Sequence, residues 1–111
     1  MTLTFGSNSK TAFLFPGQGA QVVGMGLELF ERSGAAKDVF GEVDEALGRP
    51  LSKILFEGPE DELRETINAQ PGIMAVSLAC IGAMNENLDK DDIPAPVLMA
   101  GHSLGEYTAL A

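Results

Sequence analysis

Between Ala36 and Leu47 the apolar residues Ala36, Val39, Phe40, Val43, Ala46 and Leu47 recur at helical spacing, with Asp38, Glu42 and Glu45 opposite them. That spacing predicts an amphipathic helix, which Gly48 and then Pro50 end. Thr11 to Phe15 carry no charge on either face and stop at Pro16-Gly17, the signature of a buried strand. Gly24 to Ser33 reads as a weakly capped helix, Leu51 to Phe56 as a short one, and Pro59 followed by Glu60-Asp61-Glu62 as the first turn of another. Pro71 is expected to open the longest helix, reaching about Leu88. Apolar on nearly every face from Ile73 to Met84, it is expected to be the central buried helix. A turn region with Asp89, Asp91, Asp92, Pro94 and Pro96 precedes a second short buried strand, Val97 to Ala100, and Leu104 to Ala111 begins a last helix. Strands alternating with helices predict an α/β fold with a parallel sheet, of which two strands form only a part.

Composition narrows the function. The chain has 111 residues, 45% of them hydrophobic, and a formal charge of −9, which excludes a disordered tail and leaves room for one domain. An acidic chain with no basic cluster lacks the phosphate contacts that nucleic-acid binding needs, and an anionic leaflet would repel it. Cys80 is the one cysteine and His102 the one histidine, so neither an internal disulfide nor a closed Cys/His metal site is expected. Met1 to Lys10 form a polar leader without the basic and apolar regions of a secretory signal, and they suggest a natural chain start. The stretch from Ile73 to Met84, interrupted by Ser77 and Gly82, is read as too short to span a bilayer. A cytoplasmic protein without membrane contact is the expectation.

Two motifs carry chemistry. Gly101-His102-Ser103-Leu104-Gly105 matches G-x-S-x-G, with an apolar strand before it and helix-forming residues after it. A strand-to-helix turn this sharp needs residues without side chains two before and two after the serine. The Ser103 hydroxyl would then project at the carboxyl end of the sheet, where the Leu104 amide can donate to an oxyanion. A chance match is about a one-in-ten event for a chain with this much glycine, and an ordinary serine in a tightly packed turn is the alternative. The second motif, Phe13 to Gln21, runs a strand into Gly17-Gln18-Gly19-Ala20-Gln21. Val22 stands where the third glycine of a dinucleotide-binding loop belongs, and no Gly-Lys-Ser/Thr follows for a P-loop. What remains is either a plain structural turn or one whose amides face a ligand at the sheet edge.

Together these residues resemble the malonyl-CoA:acyl carrier protein transacylase family, and more loosely the acyltransferase domains of polyketide and animal-type fatty acid synthases. The resemblance rests on Phe15 to Gln21 with Val23-Gly24-Met25-Gly26, on Asn68-Ala69-Gln70-Pro71, and on Met99 to Leu110 around the elbow. It implies the N-terminal part of an α/β-hydrolase-like core, residues 11–111, with the remainder of the domain and its small subdomain absent. It further implies a malonyl group moving from coenzyme A to acyl carrier protein through a malonyl ester on Ser103. The amides of Gln18 and Leu104 would form the oxyanion hole, and Gln70 and His102 would line the acyl pocket. No cofactor is implied, because coenzyme A enters as part of the substrate. Gly72 departs from the family's usual alanine and is expected to loosen the start of the helix near Gln70.

A serine nucleophile needs a base, and His102, beside Ser103 in the extended leg of the turn, is expected to point the other way. The family's catalytic histidine and its carboxylate-binding arginine fall beyond Ala111, so the chain alone is expected to be inactive, as is the basic surface that coenzyme A and an acidic carrier need. His102 is read as a packed or acyl-pocket residue, Cys80 as a small core residue, and Met25, Met74, Met84 and Met99 as core filling. The rival readings are an esterase-like serine hydrolase fragment and a truncated paralogue that keeps the pocket without the base.

Overall fold

The computed structural model describes residues 8–88, 95–102 and 104–110. Ser103, Asp89, Asp91, Asp92, Pro94, Ala111 and the first seven residues of the leader lie outside the described residues. The uncharged run at Thr11 belongs to β1 (Asn8–Phe15), so the strand takes in Asn8 to Lys10 of the expected leader. It pairs in parallel with β2 (Ala95–Gly101), and the last four pairs run in step from Ala12 beside Leu98 to Phe15 beside Gly101. Five helices make the crossover: α1 (Leu27–Arg32), α2 (Gly34–Leu47), α3 (Leu51–Glu57), α4 (Glu60–Arg64) and α5 (Thr66–Asn87). After β2 comes α6 (Leu104–Leu110).

The core lies among the helices. Ala36, Val39 and Phe40 of α2 pack with Leu51 and Leu55 of α3, Leu63 of α4, and Ala75 and Ala79 of α5. Alanines at 36, 75 and 79 let the two long helices approach closely, and the rings of Phe30, Phe40 and Phe56 fill the end with centroids 5.2 to 6.2 Å apart. The expected apolar stripe of α2 stops early, because Ala46 and Leu47 are exposed in its last turn, where no helix lies over them. α1 starts at Leu27 rather than Gly24, since Gly24 and Gly26 take positive φ values of 94° and 84° that a helix cannot contain.

The end of α1 and the start of α2 are tied to α5 by one carboxylate. Ser33 accepts from Ala36 N at 3.1 Å as the N-cap of α2 and donates to Glu86, which also accepts from Ala35 N at 2.9 Å. The bond from Ser33, then the amides of Ala35 and Gly34, hold the Glu86 carboxyl below its ordinary value of 4.5. A depressed carboxyl stabilises the fold above its unfolded value. Stability attributable to Glu86 is therefore present above about pH 4.5 and is lost as pH falls from there through the lowered folded value. In acid titrations of the unfolding midpoint, Glu86→Gln is expected to flatten the slope in that window and leave it unchanged above pH 6.

α5 begins five residues before Pro71, so the proline lies inside the helix rather than opening it. An interior proline leaves the carbonyl four residues back without its donor. Here that carbonyl is Ile67 O, and the Arg49 guanidinium donates to it at 2.6 Å. The same guanidinium donates to Asn68 Oδ1, and Asn68 Nδ2 donates in turn to Glu62 O at 2.8 Å. Arg49 thus replaces the missing amide and fixes the start of α5 to the end of α2. Arg49→Ala is expected to lower stability by about 1 kcal/mol, chiefly through the part-buried bond to Asn68, since water can reach Ile67 O. Arg49→Lys should recover only part, because an ammonium lacks the two-pronged fork. Denaturant midpoints of the full-length gene product measure both; an Arg49→Ala protein as stable as the parent would show that water or another donor replaces the clamp.

Gly72, buried in α5, does not loosen a helix start: a β-carbon there would lie 2.7 Å from Cδ2 of Leu55, which is wholly buried. The glycine makes room for α3. The helix is also longer than the Ile73 to Met84 run, and among the described residues it is long and apolar enough to cross a membrane. Half of its most apolar window is buried against the rest of the fold, as in the core helix of a globular protein.

β1 is not covered on both faces as expected. Ala12 is exposed and Leu14 is 75% exposed, and an apolar groove of about 420 Å³ lies between α5 and the strand. Cys80 opens onto that groove and is not a core residue, since α5 turns Ala79, about 100° away around its axis, toward α2. Its neighbours still desolvate the sulfur and push the thiol above its ordinary value of 9.0. Met25 packs against the core as expected, whereas Met99 is exposed.

Candidate active site

Both glycine motifs meet at the carboxyl ends of the two strands. His102 N donates to Phe15 O at 3.2 Å, and Gly105 N donates to His102 O at 2.9 Å, so the turn after β2 is stitched to the end of β1 and to the first turn of α6. The flanking glycines are required by contact. A β-carbon on Gly101 would overlap the carbonyl of Gly105 and the amide of Glu106. One on Gly105 would overlap Phe15 O and lie 3.0 Å from Pro16 O. The residues two before and two after Ser103 therefore lack side chains for the steric reason that the motif suggests.

The second motif lies against the first. Gly17 is buried, and a β-carbon there would strike His102 O and come within 3.3 Å of His102 Nδ1. The turn is closed by Ala20 N on Gly17 O at 3.3 Å and by Gly19 N on its own neighbour's side chain, Gln21 Oε1, at 2.7 Å. Gly19 takes φ +112°, which commits it to glycine. With the amides of Gly19 and Ala20 used, the Gln18 N–H has no acceptor among the described residues, and neither does the Leu104 N–H at the start of α6.

Gln70 reaches the same place from α5. Its Nε2 donates to Gln18 Oε1 at 3.4 Å, and Gln18 Nε2 donates to Thr66 Oγ1 at 3.0 Å. Gln70 is half-buried, Leu104 is buried, and Gln18 and His102 are exposed. His102 is thus exposed rather than packed, with its ring beside the glycine turn. Ser103 itself lies outside the described residues. Thr66 and Arg49 were not legible as site neighbours from the sequence, because both act across more than one helix. Among the described residues no group of three His, Cys, Asp or Glu side chains could hold a metal ion.

A strand, a glycine-walled turn and a helix, with a second glycine turn packed against the first, form a strand–turn–helix site of α/β type. The sequence profile of the acyl transferase domain family matches residues 12–111, and the chain belongs to that family. A malonyl CoA-acyl carrier protein transacylase of Bacillus subtilis is 51% identical over 102 residues, 92% of this chain and 31% of the relative. The crystal structure of an acyl-carrier-protein S-malonyltransferase from Bartonella henselae superposes with a TM-score of 0.82 at 52% identity, over 92% of this chain and 32% of that one. A malonyl-transacylase solved in complex with a type II polyketide acyl-carrier protein gives 0.81 at 42% identity, over the same shares. The chain spans about a third of the length of the relatives it matches.

Proposed function

We propose that these residues form the nucleophile elbow and the oxyanion turn of an enzyme that moves a malonyl group from coenzyme A to acyl carrier protein. The observation that supports the reading is the seating of Gly17 against His102, which packs the turn carrying Gln18, whose N–H has no acceptor among the described residues, against the end of β2. Similarity to malonyltransferases over 92% of the chain supports the substrate class, and the relative solved with an acyl-carrier protein supports the acceptor.

The Ser103 hydroxyl attacks the thioester carbonyl, and its proton passes to a base supplied from outside these 111 residues. The carbonyl oxygen gathers negative charge and is held by the amides of Gln18 and Leu104. Collapse expels coenzyme A as its thiol and leaves a malonyl ester on Ser103. The phosphopantetheine thiol of the carrier attacks that ester, the same two amides stabilise the second oxyanion, and Ser103 is released. Gln70, anchored to Gln18, lines the acyl side, and the exposed His102 lies at the mouth. Catalysis uses no added cofactor, and the cytoplasm is the compartment that this substrate pair implies.

Labelled malonyl-CoA given to the full-length gene product should leave an ester on the peptide that contains Ser103. Acyl carrier protein bearing its phosphopantetheine arm should then discharge it. Label on Cys80, or an ester that passes only to water, would overturn the reading.

A further inference from the structure

The turn that presents the Gln18 amide has one backbone–backbone hydrogen bond among the described residues, Ala20 N on Gly17 O, which is long at 3.3 Å. It belongs to no helix or strand, and two glycines flank Gln18. Gly17 is fixed from one side by the elbow, so the peptide that carries the Gln18 N–H can still rotate unless its other side is held. Within the turn the Gly19 N–H is held by Gln21 Oε1 at 2.7 Å, and the hold that ties the turn to the rest of the fold on this side comes from the Gln18 side chain. Its Nε2 donates to Thr66 Oγ1 at 3.0 Å, and its Oε1 accepts from Gln70 at 3.4 Å. The shorter of the two bonds ends on Thr66, the first residue of α5, which the Arg49 clamp secures one residue further on.

We infer that Thr66 is a positioning residue of this site. Its hydroxyl anchors the Gln18 side chain and so aims the Gln18 amide at the oxyanion. Thr66 touches neither substrate nor nucleophile in this account and acts only through Gln18. The inference rests on the proposed acyl transfer and deepens it, because it says why the residue between the two glycines is a glutamine although its backbone does the catalytic work.

Thr66→Val keeps the shape of the side chain and removes the acceptor, while Thr66→Ser keeps the hydroxyl. Outright loss of one oxyanion donor lowers kcat by about 10²- to 10³-fold, and a donor left in place but unaimed should lower it by about 10-fold. In the full-length gene product, Thr66→Val is expected to show that loss in kcat, with KM for malonyl-CoA and the unfolding midpoint unchanged. Thr66→Ser should recover the parent rate. Gln18→Ala should show a loss of the same size, to which Thr66→Val adds nothing. Amide hydrogen exchange at Gln18 and Gly19 should be faster in Thr66→Val, a readout that does not depend on which acyl group the enzyme transfers. Parent exchange rates and parent kcat in Thr66→Val would overturn the inference, as would equal losses in the Val and Ser variants or a rate loss matched by a lowered midpoint. If the parent forms no malonyl ester while exchange still responds to Thr66, the functional reading fails and the anchoring role stands.

Discussion

Ser103→Ala in the full-length gene product is expected to lower malonyl transfer by about 10⁶-fold, the scale seen when a serine nucleophile is removed from an intact catalytic group. The unfolding midpoint should stay where it is. The turn around it is held by backbone contacts at Gly101, His102 and Gly105, and alanine adds no atom to it, so the variant is expected to keep its fold and lose the atom that forms the ester. Residual transfer above background measures what the amides of Gln18 and Leu104 achieve alone. Cys80 gives the matching control. It is the one thiol of the sequence, but it opens on the groove between α5 and β1, and desolvation pushes it above its ordinary value. Cys80→Ser is therefore expected to leave turnover and the acyl-enzyme unchanged. A Ser103→Ala protein that still forms a covalent malonyl adduct would reverse the two roles.

The elbow was legible in the sequence because its cause is local. Gly101 and Gly105 are four positions apart, and the contacts that exclude their side chains involve each other, Glu106 and the end of the neighbouring strand. Strand pairing was legible for a related reason, since two uncharged runs separated by helices match the βαβ pattern, and β1 and β2 do pair in parallel. α5 was misread where its cause is remote. Proline reads as a helix opener because a first-turn amide needs no partner; at Pro71 the lost donor is replaced by Arg49, a residue in the loop after α2 whose reach no local pattern encodes. Cys80 failed similarly. A helix apolar on every face does not say which face meets α2 and which opens on β1, and Ala79 rather than Cys80 has the small side chain that the closest approach requires. The Thr66 to Gln18 bond joins positions 48 residues apart, so it too belongs to the fold rather than to either motif.

Gly105→Ala sets two opposed effects against each other at the site. In a helix interior, alanine is favoured over glycine by about 1 kcal/mol, and Gly105 is in α6. Against this, the new methyl would overlap Phe15 O and lie 2.8 Å from the Phe15 carbonyl carbon and 3.0 Å from Pro16 O. All three are backbone atoms, so no rotamer change can make room. Phe15 is held by its pairing with Gly101 and by the bond from His102 N, which leaves α6 as the element that must move. Overpacking of this kind costs about 1–3 kcal/mol when side chains can adjust, and here the upper end applies, so a net loss of about 2 kcal/mol is expected. Moving α6 also carries the Leu104 amide away from the oxyanion, for a further loss of about 10²-fold in kcat. Gly41→Ala supplies the comparison, because Gly41 is exposed in α2 and a β-carbon there would meet no described atom within 4 Å. That change should raise stability by up to about 1 kcal/mol with turnover unaltered. Denaturant midpoints of the two variants should therefore move in opposite directions, and a Gly105→Ala protein stabilised like Gly41→Ala would mean that α6 is not clamped against β1.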